Sequence, residues 1–157
     1  MNDTRDDRQV EVLRWTYGLV PIAAGADKFT NLLTDWGKYL SPTARDMLPV
    51  SSRTFMRAVG IVEIAAGALV LHPRTSRLGA YVVAGWLGAI AANLVMDRKY
   101  DIAVRDIAMG IGAFSLGRFL ARRAERRAAE QQRTPVESDL AAATRAPQAG
   151  GTAFSMH

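Results

Sequence analysis

Between Leu78 and Met96 the chain runs for 19 residues without a charged side chain, and Asn93 is the only strongly polar group there. As a helix this run is about 30 Å long, the thickness of a bilayer's hydrocarbon core. A soluble four-helix bundle would need a polar stripe on every helix, and this segment offers none. The sequence therefore predicts an all-α, polytopic membrane protein: a four-transmembrane-helix bundle whose third span is Leu78 to Met96.

The second span, Phe55 to Leu71, reads FMRAVGIVEIAAGALVL and carries one carboxylate, Glu63, at its centre. Gly60, Ile61 and Val62 precede it, and Ile64, Ala65, Ala66 and Gly67 follow. A carboxylate in such surroundings requires a partner, an aqueous cavity or a proton. The first span, about Val10 to Phe29, has Glu11 and Arg14 at one end and Asp27 and Lys28 at the other, with Pro21 between them. The fourth runs from Ile102 to about Leu120, with Arg105 and Asp106 near its start.

The connections follow from these spans. Residues 1–9 read as a polar arm without regular structure, and residues 10–120 hold the four-helix domain. Thr30 to Thr54 is a long connection in which Trp36, Tyr39, Leu40, Met47 and Leu48 alternate with polar residues. That alternation suits short amphipathic turns lying on a membrane surface, and Ser51 or Ser52 is placed to cap the helix that follows. Residues 121–133 form a basic juxtamembrane extension, and residues 134–157, rich in Pro, Gly, Ala and Thr, read as a disordered tail. Small residues four apart (Ala84 with Gly88, Gly88 with Ala92, Ala108 with Gly112, Ala113 with Gly117) predict close helix contacts.

Composition narrows the function. There is no cysteine, which excludes disulfides, thiol redox chemistry and cysteine metal ligands. His72 and His157 are the only histidines, too few for a histidine-built metal or haem site. The net charge of +5 carries no nucleic-acid motif, and the basic residues lie beside apolar segments, where a juxtamembrane role suits them better. A mean hydropathy of +0.00 hides the apolar middle, because both ends of the chain are polar.

With four spans both termini share one side. That side carries Arg5, Arg8, Arg74, Arg77, Arg122, Arg123, Arg126, Arg127 and Arg133, against Lys38, Arg45, Arg53, Arg57, Arg98 and Lys99 on the other. The bias favours both termini in the cytoplasm of a cell with the chain in its inner membrane. Asp27, Lys28, Asn93, Arg105 and Asp106 then fall toward the outer helix ends. Glu63 lies about 12 Å into its helix, within long-side-chain reach of Arg14 or Arg105. The ligand- or proton-binding candidates are Glu63, Arg14, Arg105, Asp106, Asn93 and Lys28. Two readings of Glu63 stand side by side: a buried pair that sets helix register, or the floor of an outward-opening polar pocket.

RWTYGLVPIAAGADKF in the first span, VGIVEIAAGALVL in the second, the Asn93 segment in the third and YDIAVRDIAMGIGA in the fourth resemble the DoxX-like small membrane proteins. The matching positions are Arg14, Gly25, Lys28, Glu63, Gly67, Arg105 and Asp106. The resemblance implies an accessory subunit of a quinone-linked redox or oxidative-stress system, with quinone as an external ligand and no intrinsic cofactor. Its partners are the bilayer and a second protein or a second copy of the chain. The alternative is a small proton-coupled carrier with Glu63 as titrating group. A catalytic role has the least support, because no nucleophile, metal set or phosphate loop accompanies the carboxylates.

Overall fold

The computed structural model describes residues 3–145, with side-chain surroundings for residues 7–133. The described residues are all-α: α1 (Asp3–Thr30), a 3-10 turn (Trp36–Tyr39), α2 (Pro42–Met47), α3 (Ser52–Leu71), α4 (Ser76–Met96) and α5 (Tyr100–Arg145). The chain divides into two compact units between Ala121 and Arg122. α1 begins at Asp3, so helix occupies most of the N-terminal arm that reads as unstructured in sequence. Likewise α5 continues to Arg145, into the segment expected to be disordered; the rest of that tail, 146–157, lies outside the described residues.

Local chemistry explains the boundaries. Ser51 caps α3, its hydroxyl accepting from the Thr54 amide, and Ser41 caps α2 by accepting from Ala44, with Pro42 at the first helical position. Asn31 (φ 50°) and Arg98 (φ 57°) take left-handed conformations just beyond α1 and α4, which turns the chain out of each helix. Pro21 sits inside α1 without ending it.

Two helices, α3 and α4, are long and apolar enough to cross a membrane. The expectation of four spans is thus met at two helices by length and composition, because α1 and α5 mix charged residues with their apolar stretches.

α1 and α3 pack antiparallel at very short range, and glycine makes that possible. A Cβ on Gly25 would lie 2.5 Å from the Gly60 carbonyl oxygen, and one on Gly60 would lie 2.6 Å from that of Gly25. Two helical turns along, Gly67 meets the Gly18 carbonyl in the same way. Each helix therefore presents two glycines seven residues apart on one face. The expected small-residue pairs behave differently. Gly88 faces open space, while Gly112 and Gly117 make room for the rings of Tyr17 and Tyr81. Around these contacts the core gathers Val10, Ala66, Val70, Ala80, Val83, Ala113 and Leu116.

Candidate functional site

Side chains on a helix lean toward its N-terminus. In the antiparallel α1–α3 pair, Lys28 therefore leans back to the level of Gly25 and Glu63 back to the level of Gly60, the point of closest approach. There Lys28 Nζ meets Glu63 Oε2 at 2.6 Å, with both side chains buried. The same Nζ lies 3.7 Å from the centroid of the Trp36 ring and 3.5 Å from the Ala24 carbonyl oxygen. Trp86 Nε1 on α4 approaches Glu63 Oε1 at 3.5 Å, the edge of hydrogen-bonding range. The ammonium is thus surrounded by acceptors and an aromatic face, while Glu63 Oε1 holds the weaker contact.

The connection between α1 and α3 folds over this pair. Asp27, buried one residue before Lys28, organises it. Its Oδ1 accepts from the Leu32 and Leu33 amides, each at 3.0 Å, and its Oδ2 accepts from Trp36 Nε1 at 2.7 Å. Holding the indole nitrogen sets the Trp36 ring over Lys28. Asn93 fastens the other end of the segment: its Nδ2 donates to the Tyr39 carbonyl at 2.9 Å and its Oδ1 accepts from the Ser41 amide at 3.3 Å. Leu40 and Ser41 between these bonds are buried. Lys99 adds a bond from its Nζ to the Lys38 carbonyl at 2.6 Å while pairing with Asp97.

Replacing Asn93 with Leu removes both backbone contacts and leaves the Tyr39 carbonyl without its partner. The expected outcome is faster hydrogen exchange, by about tenfold or more, across residues 36–41, with the α3 amides near Glu63 unaffected. Exchange followed by mass spectrometry measures it.

The structure separates the sequence candidates. It brings Lys28 to Glu63, where reach along the helices pointed to Arg14 or Arg105. Arg14 instead pairs with Glu11 on its own helix at 3.2 Å. Arg105 is mostly exposed and turns its guanidinium to Asp106, with Nε at 2.9 Å and Nη2 at 2.8 Å from Oδ1. Adjacent residues on a helix start in different directions, but the long arginine side chain curls round to the buried carboxylate. Asn93 binds the connecting segment rather than Glu63. Three participants escaped the sequence reading: Trp36, Trp86 and Asp27 as an organiser. A usable signal was present in the glycine spacing, because Gly18 and Gly25 can register against Gly67 and Gly60 only when the helices run antiparallel, and that register aligns Lys28 with Glu63.

The fold and the site define an all-α protein with two helices of membrane-crossing length, in which a buried lysine–glutamate pair joins α1 to α3 under a fastened connecting segment. The chain belongs to the family described as methylamine utilisation protein MauE, whose model matches residues 7–101. No curated protein and no solved structure matches it. The family match overturns the DoxX-like resemblance. The matching positions behind that resemblance are two glycines and five charged residues; Gly25 and Gly67 serve the close α1–α3 crossing and Lys28 pairs with Glu63 there, so these positions report packing rather than kinship.

Proposed function

We propose that this protein is an integral membrane accessory component of methylamine utilisation, one that supports a partner protein rather than carrying out a reaction itself. The observation that carries the reading is the family match across residues 7–101, which include all of α3 and α4. The site supports an architectural role. Lys28 and Glu63 face each other in the interior, and Asp27 and Asn93 are occupied with the segment above them.

In this proposal α1 and the first part of α5 cross the membrane beside α3 and α4. Their outer faces support it: Trp15, Leu19 and Phe29 on α1, and Val104, Ile107, Ile111 and Phe114 on α5, are all exposed. In water such a surface is unfavourable; in lipid it is the natural solvent contact. The arginine bias supports an orientation with both termini cytoplasmic, in the inner membrane. Quinone forms no part of the proposal, since the resemblance that suggested it has been replaced.

Deleting the chain from a host that grows on methylamine tests the reading. Growth on methylamine is expected to fail, growth on another nitrogen source to persist, and the full chain supplied in trans to restore the first. A partner protein is also expected to co-purify in mild detergent. Unchanged growth on methylamine after deletion overturns the proposal.

A further inference from the structure

A cleft of about 580 Å³ opens between the connecting segment and the start of α3, and neither Lys28 nor Glu63 lines it. Lys38, Arg45 and Arg53 line it, with Asn31, Ser52 and Asp35. Asp35 is the only carboxylate among its lining residues, and its Oδ1 already accepts from the Gly37 amide at 3.0 Å. None of the three cations forms an ion pair with a carboxylate among the described residues. Arg45 Nη2 reaches only the Gly37 carbonyl, at 3.3 Å, and Lys38 Nζ stands 5.0 Å from the centroid of the Tyr39 ring. The Ser51 cap satisfies Thr54, so the amides of Ser52 and Arg53 remain as helix-start donors at the same place. The cleft thus gathers positive charge and N–H donors with too little negative charge to balance them.

Its surroundings indicate where an anion would come from. Leu32, Leu33 and Met47 belong to the same connecting segment and are 85%, 76% and 79% exposed. Bulky apolar side chains beside a cationic cleft, at the start of a helix long enough to cross a membrane, match the boundary between acyl chains and headgroups. We propose that this cleft binds the phosphodiester headgroup of an anionic phospholipid, with Arg45, Arg53 and Lys38 as phosphate contacts. Arginine suits the role because its planar fork can give two parallel N–H bonds to phosphate oxygens. The volume accommodates a glycerophosphate group. The assignment rests on the membrane reading above.

The test uses the full chain in mild detergent, with native mass spectrometry to compare retained phosphatidylglycerol and phosphatidylcholine. Preferential retention of phosphatidylglycerol is expected. It should fall about fivefold for each cation removed in Arg53→Gln, Arg45→Gln and Lys38→Gln, with helix content unchanged. Arg74→Gln, in the turn after α3, removes the same charge elsewhere and should leave the preference intact. Equal retention of the two lipids overturns the proposal, as does equal loss in Arg74→Gln and the cleft variants. Displacement of the lipid by millimolar inorganic phosphate also overturns it, because the cleft would then be a site for the free ion. Failure of the membrane reading is separately visible: the chain would leave the membrane pellet under alkaline carbonate extraction.

Discussion

Glu63→Leu is expected to destabilise the protein by about 3–5 kcal/mol, because it strands the Lys28 ammonium in an interior built around a partner. Lys28→Met should cost a similar amount by stranding the carboxylate. The double variant should recover most of the loss, since two apolar side chains of similar bulk need neither partner nor water. Thermal unfolding of the full chain in mild detergent, followed by loss of helical signal, measures all three; each single variant should lower the midpoint by on the order of 10 °C. A double variant as unstable as either single one would show that the site needs the ions themselves. Glu63→Gln adds a functional arm. A folded Glu63→Gln protein that loses proton flux in reconstituted vesicles would favour a carrier over the accessory role, whereas normal growth on methylamine by that variant supports the architectural reading.

Gly25→Val and Gly60→Val should be as damaging by a different route. The added Cβ at either position meets a backbone carbonyl oxygen of the facing helix at 2.5–2.6 Å, and backbone cannot swing aside as a flexible side chain can. The helices must separate, at a cost of about 1–3 kcal/mol from overpacking, with loss of the Lys28–Glu63 contact in addition. Low yield of folded protein and rapid proteolysis within residues 31–51 are the expected readouts. Gly88→Ala supplies the contrast: with open space at its Cβ position it should be neutral or slightly stabilising. A tolerated Gly25→Val would mean that the close α1–α3 crossing does not hold the fold together.

Both results bear on what could be read directly from the residues. Helix content, the apolar character of α3 and α4 and the burial of Glu63 were legible because each depends on local composition: 19 uncharged residues in a row, or one carboxylate among alanines and glycines. The partner of Glu63 was not legible in that way. Reach along a helix admitted Arg14 and Arg105, and nothing local favours Lys28 over either. Small residues likewise recur four apart on α4 and α5, whereas the close crossing uses the seven-residue spacing of Gly18 with Gly25 and Gly60 with Gly67. A seven-residue repeat marks one face of a single helix, but the face it meets is fixed only when two helices are considered together.

The uncharged run from Leu78 to Met96 determined by itself that the chain needs an apolar setting for a long helix, and Glu63 determined by itself that something polar must meet it there. Which group meets it was decided only in the tertiary structure. Gly25, Gly60 and Gly67 let α1 and α3 approach backbone to backbone, and the antiparallel direction leans Lys28 and Glu63 toward the same crossing. Asp27 then turns Trp36 over the pair, across a sequence separation that no local pattern records. The physical reason is that burial follows from a residue's own chemistry and its near neighbours, whereas pairing depends on the distance and direction between two helices.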